Sequence, residues 1–152
     1  MTALTNTMEN RMVDHLLRGQ PLVVGSSTST WSAAPDISVA LYTVAPTDST
    51  PGTEVAGGSY SRVTVASSLA NWSGTQGAGT TAASSGTSGE VSNNAAVTFP
   101  VPSANWGTVL AAGLLDSAGV LLSYATLAAP ITVLLGDPAP DFLAGALKFK
   151  LD

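Results

Sequence analysis

The sequence predicts an all-β protein, an antiparallel β-sandwich of about eight strands with one short N-terminal α-helix. Three observations lead there. Residues 37–44, ISVALYTV, alternate with period two, and so do the closing residues 147–152. Short apolar runs are punctuated throughout by Gly, Pro, Asn and Asp. Only residues 6–18 carry a helical period, so helices are too few for a parallel βαβ sheet.

The helix comes first. Asn6 is a natural N-cap, Glu9 stands three positions on as in a capping box, and Gly19 followed by Pro21 closes it. At about 100° per residue, Met8, Met12, His15 and Leu16 share one face, widened by Val13 and Leu17. Asn10, Arg11, Asp14 and Arg18 fill the opposite side. A helix of this length is marginal alone in water, so it must dock on its own domain or on a neighbour. We divide the chain into a helical arm, 1–20, and a sandwich domain, 21–152. Met8, Met12, His15 and Leu16 are the candidate partner-binding residues.

Residues 20–35 form a connector with a short strand at 22–24. In strand 37–44, Ile37, Val39, Leu41 and Thr43 face one way and Ser38, Ala40, Tyr42 and Val44 the other, the signature of a half-buried strand. Pro46, Asp48, Pro51, Gly52, Gly57 and Gly58 then break the chain. The extended pattern resumes at 60–67, which makes residues 36–62 the central strand, long turn and strand of the sheet. Residues 73–93 are low in complexity, built of Gly, Ser, Thr and Ala, and read as a long exposed loop. Further strands are expected at 95–99, 108–115, 120–125, 131–135 and 147–152. The turn Asp116-Ser117-Ala118-Gly119 makes a hairpin of the pair around it. At the end, Leu147, Phe149 and Leu151 face the core, while Lys148 and Lys150 protect an edge or open face.

Composition narrows the function. Charged residues are only 10% of the chain, well under the roughly 25% of ordinary soluble domains. Such a surface suits a protein packed against copies or partners. The basic residues are Arg11, Arg18, Arg62, Lys148 and Lys150 against ten carboxylates, too few to neutralise a phosphate backbone, so nucleic acid is not expected as a partner. No apolar run reaches the roughly 18 residues of a membrane-spanning helix, and residues 1–20 carry charges where a secretory leader would be apolar, so neither membrane nor secretion is expected. Cysteine is absent.

No catalytic constellation stands out. His15 is the single histidine, on the apolar side of its helix, with no GxSxG serine to serve as general base. Zinc would need further His or Cys ligands. Asp48 with Glu54, or Asp137 with Asp141, lacks the regular spacing of a calcium loop. We expect no catalytic residue, no metal and no cofactor. Trp31, Trp72 and Trp106 lie in or beside loops, where exposed indoles would stack on sugars and buried ones would cap the core.

Several segments in order carry a resemblance: MENRMVDHLLRG, ISVALYTVAPTD, GTEVAGGSYSRVTV, NNAAVTFPVPSANWGTV, GLLDSAGVLLSYATLAAPITV and AGALKFKLD. Together they cover about two thirds of the chain and resemble the small bacteriophage virion structural proteins often labelled phage tail fibre proteins. The resemblance implies a non-enzymatic, β-rich particle subunit and transfers no catalytic residue. Within these residues there is no repeat and no heptad run from which a shaft is built. The expectation is therefore a capsid decoration or cement subunit, in contact with the major capsid protein or with tail proteins and self-associating as a homo-oligomer. It would be assembled in the host bacterial cytoplasm and carried on the virion. The alternative is a tail-associated fibre or tip subunit, or a carbohydrate- or receptor-binding module.

Overall fold

The computed structural model describes residues 4–24, 27–28 and 36–151, with backbone alone for 27–28. It contains α1 (Asn6–Arg18) and strands β1 (Val23–Val24), β2 (Ser27–Thr28), β3 (Ile37–Val44), β4 (Thr53–Glu54), β5 (Val63–Val65), β6 (Glu90–Ser92), β7 (Val97–Thr98), β8 (Gly107–Leu115), β9 (Leu121–Val133), β10 (Asp141–Phe142) and β11 (Lys148–Lys150). The protein is all-β with one N-terminal helix, and its named strand pairs are antiparallel. Two compact units divide the chain: one holds the described residues up to Asp36 with Ala66–Val97 and Phe142 onward, the other Ile37–Val65 with Thr98–Asp141.

The second unit is built on β3. One side of β3 pairs with β8, from Ser38↔Leu115 to Tyr42↔Ala111. Its other side is shared by β5 at its start and β4 at its end. The central pair is therefore β3 with β8 rather than the two strands flanking the long turn, and the turn itself contributes β4. Nor is β3 half-buried: Ile37, Val39 and Leu41 on one face and Ala40 and Tyr42 on the other are all buried. Ala40, Tyr42, Ala111 and Leu115 form one apolar cluster, edged by Leu121. Gly113 lies opposite Ala40 on this face because a side chain there would strike Leu121 Cδ1 and the Tyr42 ring.

β8 and β9 form the expected hairpin. Asp116 Oδ1 accepts from the Ala118 and Val120 amides at 2.9 and 2.8 Å, and Gly119 takes φ 82°, a region glycine enters at little cost. The two strands expected at 120–125 and 131–135 are one strand, Leu121–Val133. The break between them survives as an irregularity: β8 passes from Val109 to Ala111 while its partners on β9 pass from Ile131 to Thr126. Pro130 falls in this bulge, where its missing N–H disrupts no ladder.

In the first unit α1 spans the expected residues. Its N-cap is Thr5, one residue before the expected Asn6, and Thr5 Oγ1 accepts from the Met8 amide at 3.4 Å. Gly19 closes the helix in the left-handed region at φ 67°. β6 pairs with β11, with Val91 opposite Phe149, and Lys148 crosses to Glu90 at 2.9 Å. Lys148 and Lys150 point outward as the alternation predicts.

Candidate functional site

The helix docks by a mixed face, with Glu9, Asp14 and Arg18 buried beside Val13 and Leu17. Arg18, assigned by periodicity to the side opposite the apolar face, is fully buried. Its Nε donates to the Trp72 carbonyl at 3.0 Å, and its two terminal nitrogens reach Asp14 Oδ1 at 2.5 Å and the Ala82 carbonyl at 2.5 Å. Ser84 completes the set, donating its amide to Asp14 Oδ2 at 2.8 Å and its hydroxyl to Oδ1 at 2.5 Å. Asn10 donates to the Gly86 carbonyl at 3.0 Å and accepts from the Thr75 hydroxyl at 2.6 Å. The low-complexity 73–93 segment thus holds the helix with hydroxyls and backbone groups. It is not a freely exposed loop: Ser73, Thr75, Ser92 and Asn93 are buried.

The inward turn of Asp14 and Arg18 rotates the candidate stripe. Val13 and Leu17 are buried, whereas Met8, Met12, His15 and Leu16 are half-buried. The structure brings these four to one helix face, as the spacing requires. His15 Nδ1 donates to the Gln20 carbonyl at 2.9 Å. What remains accessible is two thioethers and an isobutyl group, adaptable apolar surface suited to protein contact.

The other unit presents the 46–59 turn, anchored at its base. Tyr60 donates to Glu54 Oε1 at 3.0 Å and accepts from the Leu41 amide at 2.9 Å. Arg62 clamps Glu54 with two bonds, Nε to Oε1 at 2.9 Å and a terminal nitrogen to Oε2 at 2.7 Å. The Tyr60 ring stacks on Phe99 and meets Trp106 edge to face, with centroids 6.1 and 5.3 Å apart. The Trp106 indole donates to the Gly58 carbonyl at 2.8 Å. Gly52 takes φ 69° where a side chain would run into the Val44 carbonyl and the Pro46 nitrogen. Beyond this base the turn lines an open cleft of about 820 Å³ between residues 47–51 and 120–124, bridged by a 2.9 Å bond from Tyr124 to Asp48.

The electrostatics of this base are structural. Hydrogen bonds from Arg62 hold the Glu54 carboxyl below its usual range, and the same bonds raise Arg62. Burial pushes the Tyr60 and Tyr42 phenols up, away from any role as acid or base near neutrality. A depressed carboxyl stabilises the fold above its unfolded value, near 4.3, and loses that contribution as pH falls through its folded value. Glu54→Gln should therefore cost about 0.5–1 kcal/mol at pH 7, kept small by the partial exposure of the pair. The gap between variant and wild type should shrink toward zero at pH 3. Urea midpoints at the two pH values measure this, and a gap that persists in acid would assign the stabilisation to packing.

Asp48 is engaged by Tyr124, Glu54 by Arg62, and Asp137 caps its own turn by accepting from the Leu134 amide at 2.8 Å. Among the described residues no three His, Cys, Asp or Glu side chains gather to hold a metal ion. Trp72 and Trp106 are 0% and 5% exposed, so neither offers a face for stacking on a sugar. Trp31 lies outside the described residues. Sequence reasoning missed Arg18, Asp14 and Ser84; the one available signal was an Asp-Arg pair at i, i+4 on the helix.

Compared with known families, residues 3–150 match the family model described as Podophage GP4 fiber I protein gp80. No curated protein and no solved structure matches the chain.

Proposed function

Since the chain belongs to this gp80 family of phage fibre structural proteins, and its place is therefore the virion, we propose that it is a non-catalytic subunit of the tail-associated fibre apparatus. It holds to other virion proteins through protein–protein contacts, assembling with them in the host cytoplasm. The family match over nearly the whole chain carries this reading. The low charge and the apolar helix stripe agree with it. A capsid decoration or cement role is the second reading, favoured by the lack of any shaft-forming repeat within these residues.

Immunogold labelling of purified virions tests the proposal. Label at the tail is expected; label spread over the head replaces fibre with decoration; particles without label overturn both. We place the contact face on Met8, Met12, His15 and Leu16. Met12→Asp with Leu16→Asp alters half-buried positions, so the purified chain should keep its far-UV circular dichroism while incorporation into particles falls by about ten-fold or more, as expected for charge placed in an apolar contact. Undiminished incorporation of the folded variant would move the contact elsewhere.

A further inference from the structure

The cleft of the second unit lies between two walls, each fixed from within. On one side, Thr47 and Thr50 exchange backbone bonds, and Thr47 Oγ1 accepts from the Ser49 and Thr50 amides at 3.3 and 3.0 Å. On the other, residues 120–124 follow the hairpin turn that Asp116 locks. The bond from Tyr124 to Asp48 Oδ1 crosses between the walls. At about 820 Å³ the cleft falls within the roughly 300–1,000 Å³ of small-ligand sites. Its lining joins the hydroxyls of Thr47, Thr50 and Ser123 and the carboxylate of Asp48 to the apolar surface of Leu122 and Tyr124. These last two are 43% and 37% exposed, so the Tyr124 ring offers the accessible aromatic face that Trp72 and Trp106 do not.

We propose that this cleft binds a neutral oligosaccharide. An anion would meet Asp48, the one charged side chain of the lining, on a chain of net charge −5. A wholly apolar ligand would strip water from Asp48 and the hydroxyls and return no hydrogen bond. A cation would find a single carboxylate whose Oδ1 already accepts from Tyr124. A sugar ring supplies what the lining asks for. Its hydroxyls both donate and accept, as the Thr47, Thr50 and Ser123 hydroxyls do. Those that donate to Asp48 make charge-assisted bonds, stronger than neutral ones. The weakly positive C–H face of the ring lies against the negative π face of Tyr124, with Leu122 beside it. The cleft is open, so a chain of several rings can run along it. Water competes for every bond in so open a site, which makes the affinity weak, with a Kd on the order of 1 mM. The inference rests on this lining and not on whether the chain sits at tail or head.

The test is amide NMR of the full chain, titrated with neutral tetrasaccharides of glucose, galactose, mannose and N-acetylglucosamine, each to about 10 mM. At least one should shift the amides of residues 47–50 and 120–124. Tyr124→Ala should weaken that binding by about ten-fold or more, while Tyr124→Phe, which keeps the ring, should stay within about three-fold of wild type. Asp48→Asn keeps the shape, loses the charge and should weaken binding by about three-fold to ten-fold. Both positions are exposed, so the circular dichroism spectrum should be unchanged. Three results overturn the inference: no shift with any of the four sugars, shifts confined to residues outside the cleft, or an affinity indifferent to Tyr124→Ala. Tighter binding of arginine amide at the same residues would overturn it too, by making the cleft a seat for a cationic side chain. A methyl glycoside that binds as tightly as its tetrasaccharide would overturn the assignment to a chain of rings. If Tyr124→Ala fails to fold, Asp48→Asn and the shift pattern of the wild type decide.

Discussion

Replacing Arg18 with methionine is expected to destabilise the helix-bearing unit by about 3–5 kcal/mol, the cost of leaving a buried carboxylate without its counter-charge. The methionine fills most of the space, so the loss reads electrostatics and hydrogen bonding more than a cavity. Arg18 makes four bonds that methionine cannot make, to Asp14, Ser84, Ala82 and Trp72. Asp14 then keeps only the two donors of Ser84. Lysine is also a poor substitute: its single ammonium cannot serve the Trp72 and Ala82 carbonyls in the planar fork that arginine presents. Arg18→Lys should cost about half as much as Arg18→Met. The double variant Arg18→Met with Asp14→Leu should recover part of the loss, because it removes both charges together. Urea denaturation followed by circular dichroism measures all three. A single-site loss under about 1 kcal/mol would mean that the network adds little beyond packing.

This network also shows where the sequence stops being legible. The limits of α1 follow from its caps and from Gly19, because capping is local chemistry. Which side of α1 faces inward does not follow from periodicity, since the rule assigns charge to water. Here the partner surface is the Trp72, Ala82 and Ser84 region, a segment without hydrophobic signal whose hydroxyls and carbonyls can satisfy a guanidinium. Such a surface reads as an exposed loop in one dimension. β3 failed in the opposite direction. Its second face, Ala40 and Tyr42, is apolar enough to be buried, and the regular alternation concealed this. The turn at 116–119 and the lysines of β11 were readable because each depends on near neighbours. The union of 120–125 with 131–135 was not, because it depends on how β8 lies alongside them.

Asn93 gives the second large effect, by the same logic without charge. It is 1% exposed. Its side-chain amide donates to the Ala95 carbonyl at 2.8 Å and the Leu143 carbonyl at 2.9 Å, and its oxygen accepts from the Leu147 amide at 2.9 Å. Its backbone adds bonds to Leu147 and Gly145. One buried residue thus fixes the chain just before β11, in a stretch whose Leu143 is 66% exposed and cannot hold it by burial. Asn93→Ala should cost about 2–4 kcal/mol, the sum of three side-chain bonds less the water that reaches the exposed carbonyl. Hydrogen exchange should rise first at residues 142–151. Asn93→Asp should be worse at pH 7, because a carboxylate would face two carbonyls with no proton to donate. Those contacts raise the carboxyl's pKa in the folded state, so its penalty is greatest above that value and is relieved as pH falls through it. The aspartate variant should therefore gain stability relative to the alanine variant between pH 7 and pH 4. A parallel pH dependence in the two variants would show that position 93 contributes volume rather than hydrogen bonds.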